Sequence, residues 1–396
     1  MYTIKNLKMA MVPPNPFNPG SPVDPHDFTG RIQYLEDFKQ KLRQTMSGSL
    51  ASMSIVGGYG IGKTSFLHKC KAITEDMNAL PIYFSLNEIG EFSREMLAKI
   101  LIERVQEKVK EEVILQRISS SVLGALKRIR VKTESGIELS IGDLKENIFP
   151  NLQSALTAAW KDLQKIKTAI VFLIDEARIL ERNRAELILY LRAVLEQLQI
   201  NRIPVMIIPA GKLTITGPSG TGFSPLVRTF PPVILENFSY PESKMFIERK
   251  LGKASIAITE PVLKKVHEVT EGHPFVLTAY LATAYSKLKD NESELKTEHF
   301  AAADIEFVPR VLAPFFSRFY DQAGKGSRNI LSEIAQSKNT EIHLSELSTK
   351  LNRSSNEISP HLGKLVQEGA IIRTDRGKYK VFHHLLGEYI RKTSKT

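Results

Sequence analysis

Four short apolar runs punctuate the first 208 residues: SMSIV at 52–56, PIYFSL at 81–86, AIVFLI at 169–174 and PVMII at 204–208. Each has the length of a strand. The third is apolar without a break, the pattern of a strand buried on both faces. Between the runs, apolar residues recur at helical spacing, as in Tyr34, Leu35, Phe38 and Leu42. Strand alternating with helix predicts an α/β fold built on a parallel sheet, because parallel strands need a crossover that packs on the sheet face. Residues 87–168, between the second and third runs, are far more than one crossover needs. Most of them, over 88–168, are expected to form a helical insertion. Within it, 129–141 alternates around Glu134, Ser135 and Gly136 and predicts a β-hairpin. The lysine- and arginine-rich stretch 105–130 is a solvated helix face or a nucleic-acid contact.

The remaining organisation follows from punctuation. Residues 1–27 carry Pro13, Pro14, Pro16, Pro19, Pro22 and Pro25, an extended segment with no core of its own. A core domain over 28–235 comes next. Residues 236–322 read as helical, with no strand expected, and 322–327 as a linker. From 325 to 396 the pattern predicts a winged helix. A first helix holds Ile330, Leu331 and Ile334, a second is LSELSTKL at 344–351, and a third holds Ile358, Leu362 and Leu365. A hairpin over 370–382 turns at Asp375, Arg376 and Gly377. Pro360 disfavours an unbroken third helix unless it lies early in it.

Composition narrows the function classes. The chain of 396 residues has a formal net charge of +11, which favours acidic partners, nucleic acid first and anionic membrane second. No run approaches the roughly 18 apolar residues of a spanning helix. Residues 1–10 lack a signal-peptide core, so a cytoplasmic protein is expected, with no membrane partner. The single cysteine, Cys70, excludes a disulfide framework and a cysteine zinc site, and its apolar helical setting predicts a buried thiol.

The first apolar run leads into Gly57, Gly58, Tyr59, Gly60, Ile61, Gly62, Lys63 and Thr64, with Ser65 opening a helix. This is the P-loop spacing. Glycines let successive N–H groups point at phosphate oxygens, and the following helix presents its positive end. Lys63 is expected on the β- and γ-phosphates of ATP and Thr64 on Mg²⁺. The third run ends in Asp175 and Glu176. Asp175 is expected to hold Mg²⁺ with Thr64, and Glu176 to orient the attacking water. Paired acids after the strand argue for hydrolysis rather than binding alone.

With these motifs the chain resembles AAA+-related ATPases of the archaeal-ATPase and STAND group, akin to origin-recognition initiators. The likeness spans most of the chain. Phe28, Thr29, Gly30 and Arg31 resemble the box that opens such domains, which implies Arg31 near the adenine. Residues 204–211 resemble the sensor-1 strand, but Pro209, Ala210, Gly211 and Lys212 are not the polar residues such a strand supplies. Lys212 and Thr214 are candidate substitutes. Ser224 to Arg228 resembles a segment carrying an arginine finger, which implies Arg228 acting in a neighbouring copy, or else a surface arginine in an ion pair. Ile234 to Phe238 resembles the entry to a helical lid, and 236–322 the lid itself. Glu271, Gly272, His273, Pro274 and Phe275 resemble the G-x-P motif of STAND lids, which brings His273 toward the nucleotide or leaves it a structural helix-start residue.

The resemblance implies a slow, switch-like ATPase that assembles as a homo-oligomer. From Lys325 onward the chain has 13 basic and 7 acidic residues, a balance of +6. DNA contact would use Arg353, His361 and Lys364 near the third helix and Arg373, Arg376, Lys378 and Lys380 on the wing. STAND proteins use the same module to contact nucleotide or protein, so a signalling or defence switch is the alternative. A protein partner would then meet the winged helix or the helical insertion. His383 and His384 resemble a histidine that touches ADP in some STAND switches.

Overall fold

The structure, a computed structural model, describes residues 12–86, 93–116, 148–181, 186–211, 227, 229–337 and 341–394. It divides into two units. One comprises Pro22–Gly57 and Gly62–Leu235; the other comprises Met1–Ser21, Gly58–Ile61 and Glu236–Thr396.

The first unit is built on a five-stranded sheet with β1 at Ser54–Gly57, β2 at Leu80–Ser85, β3 at Ile170–Asp175, β4 at Val205–Gly211 and β5 at Pro232–Leu235. The order is β2-β3-β4-β1-β5 and every pairing is parallel. All four apolar runs therefore become strands. β5 was not legible: it is a short edge strand opening on proline, the position a sheet tolerates for a residue with no N–H. β3 and β4 are buried along their whole length. β4 is described through Gly211, and Lys212 lies outside the described residues. Pro209 sits where the ladder to β3 ends at Ile174 and the ladder to β1 begins at Ala210. A missing donor costs least there.

Helices α1 (Ile32–Met46) and α2 (Lys63–Asp76) and those at Arg94–Gln116, Ile148–Leu163 and Glu186–Ile200 belong to this unit. Phe172, Ile174 and Ile207 of the sheet join Leu101, Leu156 and Leu191 of the helices in one core. Each such side chain contributes roughly 1.5–3 kcal/mol by leaving water. The described part of the insertion is thus helix packed on the core, while the hairpin expected at 129–141 lies outside the described residues. On Arg94–Gln116, Arg104 pairs with Glu107 at 2.9 Å and Lys108 with Glu111 at 2.6 Å along the helix, whereas Arg94 reaches Glu186 of another helix at 2.6 Å. Residues 117–130 of the basic stretch lie outside the described residues.

The second unit carries helices at Tyr240–Lys253, Glu260–Thr270, Pro274–Tyr285, Thr297–Glu306 and Ala313–Tyr320. Contrary to expectation it also holds a strand pair, Ala257–Ile258 with Glu294–Leu295. Two residues per strand are too few to leave a period-2 signal. Phe17 of the proline-rich segment is buried in this unit against Phe246 and Tyr285, so that segment borrows a core. Gly272 has φ of +64°, and a Cβ there would stand 2.1 Å from the Phe238 carbonyl oxygen. Gly272→Ala is expected to destabilise the protein by more than about 2 kcal/mol, through backbone strain plus a clash that no side chain can relieve. Thermal melting checks this; an unchanged midpoint would refute it.

The C-terminal module has helices at Lys325–Gln336, Leu344–Leu351 and Ser355–Glu368, with the hairpin Ile371–Asp375 and Lys378–Val381. Its first helix starts inside the expected linker, at Lys325. Ser354 and Glu357 form a capping box on the third helix, and Pro360 is accommodated within that helix on its exposed side. A short strand at Ile342–His343 joins the hairpin, and a last helix spans His384–Thr393. Neither was expected.

Candidate nucleotide-binding site

β1 ends at Gly57 and α2 begins at Lys63. Gly62 is the N-cap of α2 with φ of +93°, a conformation that favours glycine, and it has no side chain to accept from the first-turn N–H groups. A helix start of this kind suits an anion. Lys63 is 9% exposed, and its Nζ donates to the Gly57 carbonyl at 3.2 Å, folding back over the start of the loop.

At the second residue of α2 the geometry becomes more specific. Thr64 Oγ1 donates to Asp175 Oδ2 at 2.7 Å. Asp175 closes β3 and is 4% exposed. Its Oδ1 accepts from the Glu176 N–H at 2.9 Å, and its Oδ2 also accepts from the Tyr83 hydroxyl at 3.1 Å. Glu176 has φ of +49°, a left-handed turn that ends the strand and starts the short helical turn Ala177–Glu181. Such a conformation costs a non-glycine residue about 1–3 kcal/mol and is found at sites where direction matters. The His68 ring meets Tyr83 edge-on with centroids 4.9 Å apart, and burial holds its imidazole below the usual histidine range. The sequence reading missed both Tyr83 and His68. The available signal was positional: His68 lies four residues after Thr64, on one helix face, and Tyr83 faces the same way as the end of β2.

Other candidate residues have other partners. Ser65 Oγ accepts from the Val23 N–H at 3.1 Å, so it anchors the proline-rich segment. Arg31 is 5% exposed and precedes α1 with φ of +59°. Its neighbour Phe28 packs edge-on against Phe66 of α2, with centroids 6.1 Å apart. Arg228, Lys212 and Thr214 lie outside the described residues.

In the second unit Gly58, Tyr59, Gly60 and Ile61 cluster with the helices that follow residue 236. His273 is 4% exposed. Its Nε2–H donates to the Tyr59 carbonyl at 3.0 Å and its Nδ1 accepts from the Val276 N–H at 3.4 Å. Both ring nitrogens thus face protein groups. The Phe275 N–H donates to the Gly60 carbonyl at 3.1 Å, and a Cβ on Gly60 would stand 2.7 Å from that of Phe275. Arg318 lies over the Tyr59 ring, 3.3 Å from its centroid.

In the winged module Arg353, Lys364, Arg373, Arg376 and Lys378 are exposed and Lys380 is half-buried. Lys364 is 3.7 Å from Glu368. His361 instead turns inward, with Nδ1 at 2.9 Å from Ser327 Oγ. His383 Nε2–H donates to the Thr270 carbonyl at 3.0 Å, and His384 Nδ1 is 2.6 Å from Glu271. Among the described residues no helix is long and apolar enough to cross a membrane.

No family model matches the chain, and no curated protein matches it. Solved structures do. The Walker-type ATPase PABY2304 of Pyrococcus abyssi superposes with a TM-score of 0.62 at 17% identity, over 94% of this chain and 99% of that one. Two others are similar at lower scores. The RuvB Holliday junction branch migration motor of Thermotoga maritima has a TM-score of 0.44 at 16% identity, over 93% of this chain and 95% of that one. The Orc1 protein of Aeropyrum pernix, solved in complex with DNA, has 0.46 at 12%, over 93% of each chain. Together with the β2-β3-β4-β1-β5 sheet and the C-terminal antiparallel sheet, the first likeness shows that this chain has the α/β fold of a Walker-type P-loop ATPase with helical and winged-helix parts.

Proposed function

We propose that the chain is a Mg²⁺-dependent ATPase that works as a slow switch, contacts DNA through its basic winged helix and assembles with further copies in a nucleotide-dependent way. The observation that carries the ATPase reading is the 2.7 Å contact between the Thr64 hydroxyl and the buried Asp175 carboxylate. A hydroxyl and a carboxylate so placed are adjacent oxygen ligands of the hard type that Mg²⁺ takes, so the residues fit the ion. When bound, Mg²⁺ supplies charge neutralisation on the phosphate oxygens. Lys63 and the N–H groups between Gly57 and Thr64 bind the phosphates. Glu176 holds and polarises the attacking water, Arg31 approaches the adenine, and Arg228 acts from a neighbouring copy. His273 serves by holding the loop tip at Tyr59. Binding energy for the γ-phosphate shifts the switch only insofar as one state binds it more tightly.

The DNA reading rests on the charge of the C-terminal module, 13 basic against 7 acidic residues from Lys325 to the C-terminus. Among the described residues, no carboxylate lies within ion-pair distance of Arg373, Arg376, Lys378 or Lys380. Titration of duplex DNA against salt tests it. Binding should tighten as salt falls, with a log–log slope of about −0.9 for each phosphate contacted. Replacing the four wing residues by alanine should flatten that slope. Absence of binding at low salt, or of any salt slope, would sink the reading.

One observation favours a second reading, a signalling or defence switch whose winged helix contacts protein. His361 of the third helix is turned onto Ser327, and His383 and His384 hold the module to Thr270 and Glu271. Nucleotide-dependent oligomerisation without DNA affinity would select it.

A further inference from the structure

We propose that Tyr83 is a positioning residue for the metal-holding carboxylate: its hydroxyl fixes the orientation of Asp175. This role rests on the ATPase reading above. Asp175 is buried at the end of β3, and its carboxylate accepts from the Thr64 hydroxyl, the Tyr83 hydroxyl and the Glu176 N–H. A buried carboxylate depends on such donors for its charge and its direction.

The sheet register explains how Tyr83 reaches it. Ser85 of β2 stands opposite Asp175 and Tyr83 opposite Leu173. Side chains two apart on a strand share a face, so Tyr83 is a diagonal neighbour of Asp175 on the face where α2 supplies Thr64. His68, one turn along α2 from Thr64, packs edge-on against the Tyr83 ring and holds it in place. A ring that only filled space would need no hydroxyl. Without it, Asp175 Oδ2 would lose one of the two hydroxyls that aim it.

Tyr83→Phe removes that hydroxyl and keeps the ring. The test titrates Mg²⁺ into protein and a fluorescent ATP analogue and follows binding by anisotropy. The Mg²⁺ concentration at half-saturation should rise roughly tenfold, the scale of losing an outer partner of a metal ligand. Analogue affinity in EDTA and the melting midpoint in EDTA should stay at wild-type values. In an Asp175→Asn background, Tyr83→Phe should add no further loss, because it acts through that carboxylate. An unchanged Mg²⁺ midpoint would overturn the proposal, as would an equal further loss in the Asp175→Asn protein. An early melt in EDTA would assign the hydroxyl to stability and overturn it too. If wild type binds no analogue with or without Mg²⁺, the ATPase reading itself fails and the role of Tyr83 falls with it. If wild type binds with Mg²⁺ dependence and Tyr83→Phe matches it, only the role of Tyr83 fails.

Discussion

Lys63→Ala is expected to lower ATP affinity at least about a hundredfold and to remove turnover. Lys63 opens α2 and is almost wholly buried, with its ammonium over the loop at Gly57. A buried ammonium at a helix start has little to gain from solvent and much from phosphate oxygens. Each hydrogen bond to a charged group contributes about 1.5–3 kcal/mol net, so losing two such contacts removes about 3 kcal/mol or more. At about 1.4 kcal/mol per tenfold, that is roughly two orders of magnitude. The fold should survive, since this side chain lies over the loop and the apolar core is built from other residues. Calorimetric titration of ATP into the variant checks the prediction; wild-type affinity would sink the assignment of Lys63.

Glu176→Gln is expected to keep ATP binding and to slow hydrolysis about 10²- to 10⁴-fold, the range for removing a positioned general base. The amide has the shape of the carboxylate but neither its charge nor its basicity. The left-handed backbone at Glu176 should persist, because both residues bear its cost alike. The two adjacent acids differ in a way that supports separate roles. Both oxygens of Asp175 are engaged inside the protein, whereas Glu176 is half-buried beyond the end of β3. Binding by calorimetry and turnover by phosphate release separate the two roles. Turnover at the wild-type rate would refute the role given to Glu176.

The sequence made the sheet legible because β3 and β4 are buried on both faces, which makes β3 apolar up to its closing Asp175. It hid β5, a four-residue edge strand behind a proline pair, and the pairing of Ala257–Ile258 with Glu294–Leu295. Short strands carry too few residues for a period to show. The phosphate loop was legible for a different reason: glycines at fixed spacing are required by backbone geometry, as Gly62 shows with φ of +93°. His361 shows the opposite case. As a histidine on the third helix of a basic module it suggested a DNA contact, but it faces Ser327 instead. Residue type and helix membership do not tell which side of a helix faces its neighbours.

What the sequence by itself determined was the set of local devices: the apolar strands, the glycine loop, the paired acids at the end of β3 and the basic surplus at the C-terminus. These are properties of contiguous residues, and burial, backbone freedom and charge leave their marks directly in composition. What only the tertiary structure decided was which distant groups meet. The sheet places β4 between β1 and β3, yet α2 brings Thr64 to Asp175. It also aligns β2 so that Tyr83, 92 residues from Asp175 in sequence, reaches the same oxygen. Those contacts depend on strand order and register, which arise from packing the whole sheet and not from any single segment.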